Sequence, residues 1–376
     1  MAVWRQIRSL LLCAAAVDCC MRIRGQITGQ SALMVFSNTV KIGTTQGLQQ
    51  RLMRLIFGWY RCSLLLFLGA PVASCALFGP VVALGQTADQ IKVVASTSDL
   101  AALAAEVGGD RVQVEYLVGR DQEPHFAQAK PSYLLKLQRA DLLIVVGLLF
   151  EGHWLTETGR NKPSLLSQSG NPRIQPGASG YFDASRYVEI LDIPKPPVIP
   201  NSQPLGNPYY WLDPENGRII AQALAKQLSE IRPQDASYFE DRFQAFSKRL
   251  SDAESAWDAE MKPYRGRKVA TYQRSWSYLL KRFQLTSVGE IEPQPGIPPS
   301  RSHTTDLIDL ARRENVKVIL VEPYFELNTP HAIARDTGAK VVIMPSSVGG
   351  AKGVDDYFQL LDHDLALLSR AFQSQP

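Results

Sequence analysis

The chain has 376 residues, enough for two domains or one large one, and a formal net charge of +4. That charge does not describe a nucleic-acid binder: residues 1 to 85 hold eight Lys/Arg and one Asp, leaving 32 basic against 35 acidic residues from 86 on, with no basic stripe. All five cysteines (Cys13, Cys19, Cys20, Cys62, Cys75) also precede residue 86, which excludes thiolate chemistry, an internal disulfide and a Cys zinc site from the body.

Residues 1 to 52 contain the apolar patch SLLLCAAAV and otherwise little information. They are expected to be an unstructured extension, with translation starting near Met53, or a segment of unknown role. Residues 53 to 85 read as a targeting segment: Arg54 and Arg61 supply a basic n-region, Leu64 to Ala73 an apolar core, and small residues follow. Val72-Ala73-Ser74-Cys75 has the pattern of a bacterial lipobox, which makes Cys75 the lipidation candidate. A cut after Ala83-Leu84-Gly85 and an uncleaved anchor over 62 to 85 are the alternatives.

From residue 91 the pattern alternates. IKVVAS (91–96), VQVEYLV (112–118) and DLLIVVG (141–147) predict strands, with helices over 98–108 and 131–139 between them. This βαβ order favours a parallel sheet with helices on its faces. Between 160 and 208, Gly, Pro and Ser dominate and loops are expected. Asp213 or Pro214 then opens a helix, as Pro suits the first helical turn.

Phe239, Phe243, Phe246, Leu250, Ala253 and Trp257 recur at spacings of four and three, one apolar stripe on a long helix over 233–262. Strands are expected again at 268–272, 286–291, 316–322 and 339–345, and helices near 274–283, 303–314, 328–337 and 353–372. The predicted body is therefore α/β, with a lobe over 86–232, a rigid linking helix over 233–262 and a second lobe over 263–376. The loops after the strands, including VGRDQEPH, TYQRSW, EIEPQPG, VEPYFE and MPSSVGG, lie where open α/β sheets bind ligands.

Those loops and their neighbours carry a resemblance. Gly119 through His125, RADLLIVVGLLFEGHW with Glu151 and Trp154, NPYYWLDP, TYQRSWSYLLKRFQL, EIEPQPGIPPS, VKVILVEPYF and DTGAKVVIMPSSVGG occur in order over 91–372. The ordered set resembles the TroA-like substrate-binding proteins of zinc and manganese ABC transporters. The resemblance implies two α/β lobes bridged by one rigid helix and an extracytoplasmic location. It also implies a permease and an ATPase as partners, no catalytic cofactor, and one divalent or ferric ion held as cargo between the lobes. Members of that class usually hold the ion with three His and a carboxylate. The first His matches His125, the second falls at Tyr209, the third at Gln273, and the carboxylate falls near Ser346.

Only one of these four positions keeps the expected chemistry. A neutral phenol and an amide oxygen are weak zinc ligands, although tyrosinate suits a harder ion such as ferric iron. Glu322 is the first candidate for a supporting carboxylate, with Glu290, Glu292, Asp121 and Glu123 behind it. His303 is placed in a first helical turn beneath the second lobe's loops; His153 reads as a hydrogen-bonded residue, and His331 and His363 as surface residues. An alternative keeps the architecture and replaces the cargo: Arg274, Arg120, Tyr209, Gln273 and Trp276 would line a cleft for an anion or small organic solute, or the fold would serve in adhesion or scaffolding. An enzyme is a weaker alternative, since dinucleotide, Walker and GxSxG motifs are absent.

Overall fold

The computed structural model describes residues 90–119, 122–156, 163–194 and 205–374. The extension, the targeting segment with Cys75, and the loop residues Arg120 and Asp121 lie outside the described residues.

The first lobe runs β1 (Ile91–Thr97), α1 (Ser98–Gly108), β2 (Val112–Val118), α2 (Pro131–Arg139), β3 (Leu142–Val145), the short α3 (Leu165–Gln168) and β4 (Tyr181–Asp183). Its four strands pair in the order β2-β1-β3-β4, all parallel. Helices α4 (Pro214–Ile231) and α5 (Ala236–Met261) follow. The second sheet has β5 (Lys268–Thr271), β6 (Thr286–Glu290), β7 (Val318–Val321) and β8 (Lys340–Ile343), in the order β6-β5-β7-β8 and again parallel. Its helices are α6 (Ser277–Arg282), α7 (Arg301–Arg313), α8 (Asn328–Thr337) and α9 (Tyr357–Gln373). Two mainly parallel sheets flanked by helices and linked by a long helix are what the alternating pattern predicts.

Parallel strands are covered on both faces, and the alternation within each strand shows where each face goes. Val93, Ala95, Leu142, Ile144, Val269, Val318 and Leu320 point into one large core. Val94, Leu143 and Val145 point away into a smaller core under α2, and Ala270, Ile319 and Val321 into another under α7 and α8. The large core is common to both lobes. It holds the predicted stripe Phe239, Phe243, Phe246, Leu250 and Trp257 of α5, the inner faces of α1, α4 and α9, and Tyr209–Leu212.

Loops expected between 160 and 208 contain more order than their composition suggests. β4 adds a strand there, and Asn171 donates to the carbonyls of Leu137 and Ala140 to tie the segment to α2. The segment over 274–283 begins as a 3-10 turn at Arg274–Trp276 before α6. The final helix begins at Tyr357 rather than 353, where Asp356 caps it through the amide of Gln359.

Tyr357 joins the lobes. Its hydroxyl donates to the Trp211 carbonyl at 2.6 Å and packs directly over Gly217 in α4. A Gly217→Ala change would ordinarily gain about 1 kcal/mol in a helix. Here the added methyl overlaps the Tyr357 hydroxyl and ring, both pinned, and overpacking costs about 1–3 kcal/mol. Gly217→Ala is therefore expected to lower the chemical-denaturation midpoint; a raised midpoint would show that the ring can shift at little cost.

Candidate functional site

Loops from the carboxyl ends of the two sheets and the segment NPYYWLDP supply the candidate site. In the first lobe, the turn Pro124–Phe126 follows β2 and is held by Trp154, whose indole N–H donates to the Pro124 carbonyl at 3.0 Å. The loop after β3 takes an unusual path, with Gly147, Leu148 and Leu149 all at positive φ. Two successive leucines in that region cost on the order of 1–3 kcal/mol each. Glu151 compensates: its carboxylate accepts from the amides of Val146 (2.6 Å) and Gly147 (3.1 Å). The path delivers Phe150 edge-on to the His125 ring, with centroids 4.4 Å apart. Glu151 is thus a clamp within its own loop rather than a ligand facing the cleft.

The segment NPYYWLDP lies between the lobes. Asn207 donates to the Arg274 carbonyl (2.7 Å) and to Asp192 (2.9 Å), and its side-chain oxygen accepts from the Tyr209 amide (3.0 Å). Tyr278 donates to the Asn207 carbonyl, Tyr210 to the Val146 carbonyl, and Trp211 to the Ser346 carbonyl. Each bond satisfies a polar tip on a buried aromatic body. Tyr209 is buried, with its ring 5.9 Å from His125 and 5.3 Å from Trp211.

From the second lobe, Gln273 at the end of β5 donates to Glu292 Oε1 at 2.9 Å, the same oxygen that accepts from the Gly296 amide. Its own Oε1 is buried without a hydrogen-bond partner. Glu322 at the end of β7 is 0% exposed, and neither of its oxygens has a hydrogen bond of sound geometry. The nearby Ser275 hydroxyl eases its charge only partly.

The electrostatics follow from burial. Glu322 is pushed from its ordinary 4.5 to about 8, by burial first and by Glu123 and Glu292 in addition. Glu123 rises to about 7 for the same reason, with Glu292 adding and Gln273 offsetting. Burial and the neighbouring His153 hold His125 down to about 3, so it is a neutral imidazole at neutral pH. Its 3.7 Å approach to Glu123 is then a contact and not an ion pair. Burial, Glu123 and Glu322 raise the Tyr209 phenol above its ordinary range, so it too stays neutral. Among the described residues, no three His, Cys, Asp or Glu side chains converge closely enough to hold a metal ion as they stand.

His125 packs against Tyr209 and lies against Glu123; Glu123, Glu292 and Glu322 act on one another, and Gln273 bonds to Glu292. The remaining candidates stand elsewhere or act otherwise. Arg274 is half exposed and pairs with Glu290 at 3.2 Å, so both are committed to each other. Trp276 is a core residue at 0% exposure. His303 Nε2 is 2.8 Å from the Glu290 carbonyl oxygen, which ties α7 to β6. Ser346 offers its carbonyl to Trp211, and its hydroxyl lies 3.3 Å from that of Tyr324. Tyr324 and Ser275 were not singled out by sequence; neither residue type signals a site without a neighbour in space. His363 is partly buried at the surface.

The sign of the pH dependence is set by the raised carboxyls. A group whose folded pKa lies above its unfolded value contributes stability that is complete below the unfolded value and is lost as pH rises through the folded one. For Glu322 that window runs from 4.5 to about 8. The cargo-free protein is expected to lose stability across it, and Glu322→Gln to flatten the upper part of the loss. Denaturant midpoints measured over this range check the expectation; a variant with the full wild-type slope refutes it.

Residues 93–371 match the family model described as ZnuA, "Zinc-uptake complex component A periplasmic". Among curated proteins, the manganese ABC transporter substrate-binding lipoprotein PsaA of Streptococcus pneumoniae is 24% identical over 290 residues, 74% of this chain and 88% of that protein. A crystal structure of ZnuA matches with a TM-score of 0.63 at 23% identity, covering 75% of this chain and 99% of the other. A manganese-bound periplasmic metal-binding protein from Candidatus Liberibacter asiaticus matches at 0.62 and 18% identity, with the same coverage. The chain therefore belongs to the ZnuA family, the two-lobed, non-catalytic, extracytoplasmic solute-binding proteins of metal-type ABC transporters.

Proposed function

We propose that this protein captures a single metal cation between its lobes and presents it to an ABC permease driven by an ATPase. The carrying observation is Glu322: a wholly buried carboxyl with no hydrogen bond of sound geometry and only the nearby Ser275 hydroxyl to ease it, beside Glu123 and Glu292, with no basic side chain among the groups acting on it. Buried carboxylates need a countercharge, a hydrogen-bond donor or a proton. A cation entering the enclosure supplies the first. The proposed ligand set is His125 and Glu322, with Glu123 and Glu292 brought in by small side-chain movements, and with Tyr209 and Gln273 as neutral oxygen donors. That set is rich in oxygen and suits a harder ion than zinc, such as manganese or ferric iron. The manganese named for a relative points the same way.

The anion reading loses Arg274, which is bound to Glu290; Arg120, its other cation, lies outside the described residues. Attachment to the membrane through Cys75 or the segment before it is also proposed, in keeping with the lipoproteins among the relatives.

Chelator-treated protein titrated calorimetrically with manganese, zinc and ferric iron is expected to take up one ion. His125→Ala and Glu322→Gln are expected to weaken uptake at least tenfold, about 1.4 kcal/mol or more, and Arg274→Ala to leave it unchanged. Folded protein that takes up none of the three ions would overturn the reading. A loss in Arg274→Ala equal to that in His125→Ala would restore the anion reading.

A further inference from the structure

Two further buried acids lie away from the cleft carboxyls. Asp99 stands in the first turn of α1, in the first lobe; Asp364 stands in the middle of α9, in the second. Both are 0% exposed. One Asp99 oxygen accepts from the Val348 amide at 2.8 Å, and the neighbouring Ser98 hydroxyl donates to the Val348 carbonyl, also at 2.8 Å. These reciprocal bonds join the start of α1 to the loop after β8. The other Asp99 oxygen and both Asp364 oxygens are buried without a hydrogen-bond partner.

The surroundings offer no countercharge. The groups acting on Asp99 are the Val348 amide and the Ser347 hydroxyl, and the charge acting on Asp364 is Asp99. Tyr357 of α9 is buried and raised by Asp213, Asp99 and Glu254, while Arg218 of α4 opposes them and is itself paired with Glu215 and Glu254. From α5, Arg242 and Arg249 reach α1 only at Glu106, near its far end. His363, next to Asp364 in sequence, is lowered by burial and by Arg370. Burial also raises Glu151, the clamp described above, to about 7, but each of its oxygens accepts from a backbone amide, and three of the four oxygens of Asp99 and Asp364 accept from nothing. Two anions here would repel across an apolar enclosure, a cost that interiors do not tolerate without a proton or partner.

We propose that Asp99 and Asp364 form a proton-dependent joint between the lobes: with a proton held by the pair, α1, α9 and the loop after β8 pack together, and its loss loosens that packing. Burial moves Asp99 from its ordinary 3.8 to about 7 and Asp364 well above 3.8. Both folded values lie above the unfolded ones, so the joint is fully formed below the unfolded value and weakens as pH rises through the folded values. The loop that loosens carries Ser346, which accepts from Trp211, so the device acts on one wall of the cleft. The inference does not depend on the identity of the cargo.

The test uses the full-length, chelator-treated protein between about pH 5 and about pH 9. All comparisons are made in the Glu322→Gln background, which removes that residue's own contribution. The melting temperature is expected to fall by several degrees as pH rises, and Asp364→Asn to remove at least half of that fall. Difference infrared spectroscopy at the acid end is expected to show a protonated carboxylic acid band that weakens in Asp364→Asn. Amide exchange at Val348 should lose protection with pH in the parent and not in the variant. If Asp364→Asn fails to fold, Asp364→Leu supplies an uncharged apolar substitute. Parallel melting curves with an unchanged carboxylic acid band would overturn the proposal.

Discussion

Everything in this fold hangs on one apolar core that the two lobes share. The inner faces of both sheets, the helices α1, α4, α5 and α9, and the segment Tyr209–Leu212 are buried in a single continuous cluster. Burying a large apolar side chain is worth roughly 1.5–3 kcal/mol, and Trp211, Tyr210 and Phe246 are each enclosed almost completely. A wide hinge opening would expose that surface to water. The polar bonds across the rim, from Asn207 to Arg274, Trp211 to Ser346 and Tyr357 to Trp211, add direction to a joint that the core already holds shut. The shared core therefore opposes wide movement of one lobe against the other.

Burial gives charge its consequences. Three carboxyls illustrate the range. Glu151 is buried but accepts from two backbone amides, so it serves as a structural clamp that holds two leucines in left-handed backbone. Glu292 is buried and accepts from Gln273 and the Gly296 amide. Glu322 is buried and accepts from nothing with sound geometry. Where donors are built into the loops, the carboxyl organises the fold even though burial raises it, as at Glu151; where they are missing, only a proton or a cation can offset the burial of its charge. Asp99 and Asp364 repeat that unsatisfied pattern at the joint between lobes, which ties lobe packing to the same chemistry that operates in the cleft.

The substitutions at Tyr209 and Gln273 read differently in space than in sequence. As isolated letters they remove imidazoles. In the structure Tyr209 is also an aromatic wall, packed among His125, Phe150 and Trp211, and its phenol faces Glu123 and Glu322. Gln273 orients a carboxylate across the cleft floor.

Much of the architecture was legible in the amino-acid sequence because it is set by local and periodic rules. Alternating apolar runs separated by helical stripes dictate parallel strands with helices on their faces, and the spacing from Phe239 to Trp257 dictates a long helix with one buried side. Aspartate and proline at 213 and 214 mark where α4 starts. Loop positions such as His125 and Glu322 could be nominated because strand ends are where α/β sheets gather ligands. What only the tertiary structure decided is which nominated groups meet. Arg274 and Glu290 found each other, His303 found a carbonyl, and Glu123 joined the enclosure from two residues before His125. No sequence pattern announces the meeting of Asp99 with Asp364, which lie more than 250 residues apart. Burial and partnership are properties of long-range packing, and they alone determine whether a carboxyl is a solvated charge, a clamp or a site.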